Sequence, residues 1–253
     1  MLVMSLKTHL FQCCIFLLIL ILYVKKDIKL KEKKHYLYLI VMGVILAIHW
    51  STFFESIQVS TVAIGLLTFS TFPVFVTFLE PFFFKEKIKL SDVVIAIVTL
   101  LGVMLVIPKF QLGNSSTQGV MWGIISGFTY AILSMLNRKF VKEYPSIVIA
   151  FYEQFIATIV LIPFLFLEKP VFSLKDILLL VLLGIVFTGI SHSLFINGLK
   201  NIKTQIAGII SSLEPVYGII FATFLLREIP TLREILGGVI ILSTVFYSTI
   251  KSK

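Results

Sequence analysis

Two carboxylates in this sequence stand where chemistry would be costly and therefore informative. Glu214 lies beside Pro215 in the middle of a long apolar run, and Glu153 lies with Tyr152 and Gln154 inside another. An ionisable group at the centre of such a run costs about 2.5–3.5 kcal/mol on insertion scales, so each one needs a binding or pairing role to be there. A carboxylate beside a proline, where the backbone carbonyls are also open, can bind a proton, a cation or a hydrogen-bond donor. Glu214, assisted by Glu153, is expected to bind a proton or the cationic group of a solute; a hydrogen bond to a neighbouring helix is the alternative role. Tyr130, Asn137, Asn197 and Tyr217 offer further hydrogen bonds, either to a solute or between helices. His49, next to Trp50, and His192 fall near opposite ends of their runs, as gates or as interfacial anchors.

Other chemistries lack their residues. Cys13 and Cys14 are adjacent, which suits neither a disulfide nor a metal site, and no histidine has a second histidine at ligand spacing. No nucleophile with a base, aspartate pair or H-E-x-x-H motif occurs within the apolar runs. No metal, cofactor or intramembrane enzyme activity is expected.

The elements that must position these residues follow from composition. Of 253 residues, 58% are hydrophobic and 14% charged, and the mean hydropathy is +1.04, more apolar than a soluble domain of this length can bury. Nine runs are long enough to cross a bilayer: Thr8 to Val24, Tyr36 to Phe54, Thr61 to Phe84, Ser91 to Ile107, Gly119 to Leu136, Ser146 to Leu167, Ile177 to Ile196, Ile206 to Leu226 and Leu232 to Ile250. They are continuously apolar rather than alternating, so helices are expected and not barrel strands. The first run lacks a small-residue cleavage site, so no cleaved leader is expected.

The net charge of +9 does not point to nucleic acid, because the basic residues form short clusters between apolar runs with no basic, aromatic-interleaved face. Counted over alternate connections, 16 of the 22 Lys and Arg residues fall on one side and 6 on the other. The basic side, with the 25–35 loop and the C-terminus, is expected to be cytoplasmic, in a bacterial plasma membrane.

A shift of 142 residues lays Phe53 to Asp92 onto Phe195 to Glu234 with eight identities in 40 positions, among them Pro73/Pro215 and Glu86/Glu228. Each Pro–Glu pair spans the same 13 residues. Each proline is expected mid-helix, where it breaks the hydrogen-bond ladder, and each glutamate beyond the helix at an interface, as a helix-end or gating residue. Glu80 is expected to reach toward the same boundary. The charge count puts Glu86 and Glu228 on opposite faces, as an inverted repeat with an odd number of spans requires.

The runs FPVFVTFLEPFFFKEKIKL and LEPVYGIIFATFLLREIPTLREILGG resemble the two signature segments of EamA-type transporters of the drug/metabolite transporter superfamily. The resemblance covers nearly the whole chain. It implies an all-α polytopic membrane protein of two inverted five-helix repeats, with ten helices, that moves small metabolites, amino acids or drugs, mostly outward. The family's later glycines fall on Gly102 and Gly237, whereas Ile95 and Thr244 depart from the pattern. Nine runs leave the first repeat with four helices, so the expected halves are 1–112, lacking a first helix, and 113–253. About 25 further apolar residues upstream would restore ten spans.

The expected function is therefore alternating-access export of a small-molecule solute, with protons as the coupling ion, the lipid bilayer as surroundings, and a homodimer as a further expected association. A non-transporting membrane subunit or truncated remnant is the alternative. Gly119, Gly123 and Gly127, and likewise Gly43, Ala47 and Ser51, form small-residue faces for close helix packing.

Overall fold

The computed structural model describes residues 2–84, 90–106, 114–163, 173–202, 204, 207, 211 and 213–251, with side chains from residue 13 onward except at 84, 91, 92, 248, 249 and 251. Every regular element in it is helical. In chain order these are α1 (Leu2–Tyr23), α2 (Lys33–Val59), α3 (Val62–Phe69), α4 (Phe72–Phe84), α5 (Leu90–Val106), α6 (Ser115–Phe140), α7 (Ser146–Leu161), α8 (Leu174–Leu182), a π-helical stretch Leu183–Ile190, α9 (Ser191–Gly198), α10 (Glu214–Leu225) and α11 (Leu232–Lys251). These helices coincide with the nine apolar runs. Four helical segments, Lys33–Val59, Val62–Phe83, Ser115–Phe140 and Leu174–Gly198, are long and apolar enough to cross a bilayer by length and composition. The rest of the signal comes from shorter apolar helices, including Val93–Val106 and Ser146–Leu161.

Two runs are interrupted at corresponding places. The third is split by a turn at Ser70 and Thr71 between α3 and α4, and the eighth has a turn at Leu213 before α10. This corrects the expected position of the prolines. Pro73 and Pro215 are each the second residue of a new helix rather than mid-helix breakers. A first-turn proline needs no N–H donor and its fixed φ suits helix entry, so the interruption precedes the ring and costs it no hydrogen bond. Two other helix starts are capped by side chains: Thr61 accepts from the Ile64 N–H at 3.1 Å, and Ser173 with Asp176 closes a reciprocal capping box on α8.

Contacts divide the chain into two compact units, 1–51 with 136–202 and 52–135 with 203–253. Each takes segments from both halves of the sequence.

In the first unit α1 packs against α7 and the π-helical stretch, and α9 against α7. Cys13, Leu17 and Ile21, four residues apart and so on one face of α1, are all fully buried, while Ile15, Ile19 and Leu22 of the same helix are exposed. An exposed aliphatic face of that kind matches hydrocarbon surroundings rather than water. Gly43 of α2 lies so close to α7 that a Cβ there would meet the Ile156 side chain. The 24–32 loop is tied down by two tyrosines: the Lys31 N–H donates to Tyr144 Oη at 3.0 Å, and Tyr152 Oη donates to the Ile28 carbonyl at 3.2 Å.

In the second unit α5 packs along α11, and α3 against α10. Its core joins Ile64, Leu67, Val103, Val106, Val120 and Ile241. The approach of α5 to α11 depends on glycine: a Cβ on Gly237 would sit 2.7 Å from the Gly102 carbonyl oxygen, and one on Gly102 would sit 3.2 Å from that of Gly237. The α6 glycines behave similarly. Gly119 meets Ser60, Gly123 meets Thr68, Gly127 meets the Phe69 carbonyl, and Ser56 Oγ donates to the Gly119 carbonyl at 2.5 Å. Glu80, expected at the boundary, is instead buried on α4, because the helix that begins at Phe72 turns it inward.

Candidate functional site

α7 carries Glu153 and Gln154 into the interior of the first unit, and both are completely buried. From α9, His192 reaches the same place: its Nε2 lies 2.7 Å from Glu153 Oε2, and the ring is 8% exposed. Sequence reading assigned His192 to a gate or interfacial anchor, and the structure places it in the interior of the unit beside a carboxylate. The physical reason is cost. An isolated charge buried in a helix bundle is expensive, and pairing with hydrogen bonding offsets part of that cost.

The helix geometry that brings the two together includes the π-helical stretch before α9. Its wider turns hold Thr188, buried, four residues before His192. π-helical turns recur at functional sites because they displace side chains from regular α register. At Gly189 an added Cβ would lie 3.3 Å from Cys13 Sγ, so the glycine lets the stretch lie against α1. The neighbouring thiol, Cys14, lies 3.6 Å from Thr158 Oγ1.

The pair is unsaturated. Glu153 Oε1, both amide atoms of Gln154 and Thr188 Oγ1 are buried without a hydrogen-bond partner among the described residues, as are both amide atoms of Asn137 on α6. An unpaired buried polar group costs about 1–3 kcal/mol. Native interiors rarely keep several such groups unpaired.

The second unit uses its carboxylates differently. Glu214 is the first residue of α10, at a helix start rather than in mid-helix as expected. A carboxylate there is stabilised by the helix N-terminus that the interruption creates. Glu228 Oε2 accepts the Val62 N–H at 3.0 Å, so it satisfies the start of α3. Its direction is set by Arg227, whose φ of 59° reverses the chain after α10, with the Glu228 N–H bonded back to the Ala222 carbonyl at 3.3 Å. Glu234 Oε1 accepts from Thr61 Oγ1 at 3.3 Å, while its Oε2 accepts from the Thr231 N–H at 2.6 Å. Glu86 lies outside the described residues.

A cavity beside the α3–α4 turn is lined by Thr71, Val74, Phe75, Phe78, Ala96 and Thr99. Thr71 Oγ1 donates to the Thr68 carbonyl at 2.7 Å and Thr99 Oγ1 to the Ile95 carbonyl at 2.9 Å. With its hydroxyls turned to the backbone, that wall is hydrocarbon.

The remaining predicted residues scatter. Tyr152 holds the 24–32 loop through its hydroxyl and packs edge-on against Tyr36. Tyr130 packs against Phe69 and Phe72, at 5.4 and 5.1 Å between ring centres. His49 is buried against Trp50, and Asn197 is exposed on α9. The Glu153–His192 pairing is what sequence reading missed. The two residues are 39 apart in the chain, and the only signal for the pair was that each ionisable group in an apolar run required a partner.

The model of the EamA-like transporter family matches residues 4–107 and 117–250. Among similar proteins, "Uncharacterized transporter YxxF" of Bacillus subtilis (strain 168) is 28% identical over 83% of this chain and 68% of its own length. An "Uncharacterized transporter" of Archaeoglobus fulgidus is 28% identical over 77% of this chain and 70% of its own. The "S-adenosylmethionine uptake transporter" of Rickettsia conorii is 23% identical over 82% and 70%. One crystal structure shares the fold with a TM-score of 0.71 at 17% identity, covering 99% of this chain and 87% of that one.

Proposed function

We propose that this chain, which belongs to the EamA-like transporter family, is a secondary transporter that exports a small metabolite, amino acid or drug by alternating access of two inverted repeats, 1–112 and 113–253. The observation that carries this reading is the pair of helix interruptions, at Ser70–Thr71 and at Leu213, which lie 142 residues apart in register. Interrupted spans in corresponding places of two halves are where membrane transporters expose backbone groups to a solute. The two stretches matched by one family model support the same division.

Glu214 and the opened backbone before it are the solute-facing groups of this proposal, and Pro73 and Pro215 start the two helices that move. Glu228 holds the start of α3 from outside, and Glu86 is its counterpart on the cytoplasmic side. The chain sits in a bacterial plasma membrane with its C-terminus in the cytoplasm. Protons are the proposed coupling ion and a homodimer the proposed assembly.

The test is flux of labelled candidate solutes across vesicles containing the purified protein, followed in both directions because the named solute of the Rickettsia relative moves inward. Glu214→Gln keeps shape and hydrogen bonding but removes the charge, so proton-driven flux is expected to fall strongly while the protein still folds. Normal flux in that variant returns Glu214 to a helix-start role alone. Absence of flux for every candidate in the unaltered protein overturns the transport reading.

A further inference from the structure

Ile64, Leu67, Val103, Val106 and Ile241 are buried together in the core of the second unit, yet beside them a cavity of about 130 Å³ stands open between α4, α5 and α6. Protein interiors pack as densely as organic crystals, and atoms that line a void forfeit dispersion contacts on that side. A group that enters the void restores those contacts.

The lining decides what kind of group that is. None of the eight residues around the cavity is charged. Its two hydroxyls are engaged elsewhere: Thr71 Oγ1 donates to the Thr68 carbonyl, and Thr99 Oγ1 donates to the Ile95 carbonyl and lies 2.7 Å from Thr244 Oγ1. A buried water needs about two to four polar partners, whereas a comparable cavity of about 150 Å³ lined by Leu, Ile and Phe stays dry and binds benzene. Hydrocarbon fits here, and an ion, a water or a polar solute does not.

The mouth of the cavity indicates where the hydrocarbon comes from. Leu100 lines it and is 56% exposed. This residue belongs to an exposed aliphatic face of α5 that includes Val93, Ile97, Leu101 and Met104. On the α6 side Ile125 and Phe128 are exposed, and Phe128 meets Phe75 of the cavity wall edge-on at 5.4 Å between ring centres. Faces of this kind lie against acyl chains in a bilayer, so the cavity is continuous with the lipid around it. We propose that the cavity is a lipid site, which takes a short stretch of one acyl chain between α4, α5 and α6. The headgroup stays outside, because the space admits about one benzene-sized group and its walls offer a phosphate nothing to pair with. Lipid tails are as apolar as Leu, so packing rather than transfer from water favours the bound chain. Seated there, the chain lies against Thr71 and braces the turn between α3 and α4. The site goes beyond the transport reading and does not depend on it.

The test uses the purified full chain in nanodiscs of phosphatidylcholine that carries a diazirine midway along one acyl chain. After irradiation, adducts are mapped by peptide mass spectrometry. They are expected on the exposed residues Val94 and Ile97, as for any chain at the protein surface, and also on Thr99, which is 1% exposed but lines the cavity. Ala96→Phe fills the space from α5, and Val74→Phe fills it from α4. In either variant the Thr99 adducts are expected to be lost while those on Val94 and Ile97 remain. The same photoreactive chain on phosphatidylglycerol is expected to label Thr99 equally, since the cavity contacts the chain and not the headgroup.

Adducts confined to exposed residues of the wild-type protein overturn the proposal, and that outcome requires no variant to fold. Thr99 labelling that persists in a filled variant with a wild-type unfolding midpoint also overturns it, because the probe then reaches Thr99 by another route. Labelling that follows the headgroup has the same consequence. If the lipid leaves Thr99 unlabelled while a free phenyldiazirine labels it, the cavity is a site for a free apolar solute and the lipid assignment falls.

Discussion

The Glu153 site of one unit and the Glu228 and Glu234 sites of the other hold carboxylates in opposite ways. In 1–51 with 136–202, Glu153 is fully buried between helices with His192 for a partner, and Gln154 and Thr188 are buried with polar atoms unpaired. In 52–135 with 203–253, Glu228 and Glu234 sit at helix starts, where they accept from backbone N–H groups and from Thr61. In that unit the hydroxyls of Thr68, Thr71 and Thr99 bond to nearby carbonyls of α3 and α5, whereas those of Ser134 and Thr204 are buried without a partner among the described residues. The difference teaches what each polar group is for. A carboxylate at a helix start completes local structure at modest cost. A carboxylate that pairs with a histidine and leaves one oxygen without a partner among the described residues is a less finished arrangement.

Removing one member of the buried pair should therefore have the largest effect on stability. Glu153→Leu leaves His192 without its partner, and breaking a buried pair from one side costs about 3–5 kcal/mol. Thermal unfolding in detergent should show a large drop for this variant and a markedly smaller one for Glu153→Leu with His192→Leu together. Equal losses in the single and double variants would mean the pair is not the unit that matters.

Close helix packing in the second unit comes next. Gly237→Ala places a methyl group against the Gly102 carbonyl and Val106, both on α5. Overpacking of this kind costs about 1–3 kcal/mol. A variant as stable as wild type would show that α5 and α11 can separate without loss, and that their glycines are incidental.

A smaller effect is expected at the helix starts. Glu228→Ala deprives the Val62 N–H of its acceptor, at about 0.5–2 kcal/mol, in line with other lost caps. Faster amide hydrogen exchange at the start of α3 is the direct readout. Glu228→Gln keeps an acceptor oxygen, so it should exchange nearly as slowly as wild type; if both variants exchange alike, the carboxylate's charge rather than its hydrogen bond holds the helix.

The smallest effect belongs to the 24–32 loop. Lys34 donates to Glu32 at 2.6 Å and holds that carboxyl below its ordinary range, with both groups exposed to solvent. A lowered carboxyl value means that any stability it contributes is present above the unfolded carboxyl's range and lost as pH falls through the folded value. Because solvent screens an exposed pair, Lys34→Met should leave the unfolding midpoint and its dependence on acid pH unchanged within replicate scatter. A clear loss at neutral pH that disappears on acidification would show that the loop is anchored by charge rather than by Tyr144 and Tyr152.

Much of this architecture is legible from residue order. Nine apolar runs, small-residue faces at Gly119, Gly123 and Gly127, and two Pro–Glu segments 142 residues apart are local patterns, and lipid enforces them because every backbone group in hydrocarbon must be bonded within its own helix. The same constraint makes Glu153 and Glu214 stand out as groups in need of a reason.

Tertiary structure alone decided what those reasons are. Whether a proline breaks a helix or begins one depends on which side of it the turn forms, and at Pro73 and Pro215 the turn precedes the ring. Glu214 and Glu153 look alike as carboxylates in apolar runs, yet one stands in the first turn of a helix and the other meets His192 across two helices. Spacing along a chain sets which residues share a helix face. Which faces meet is set by how helices far apart in sequence pack, and no periodicity within a single helix carries that information.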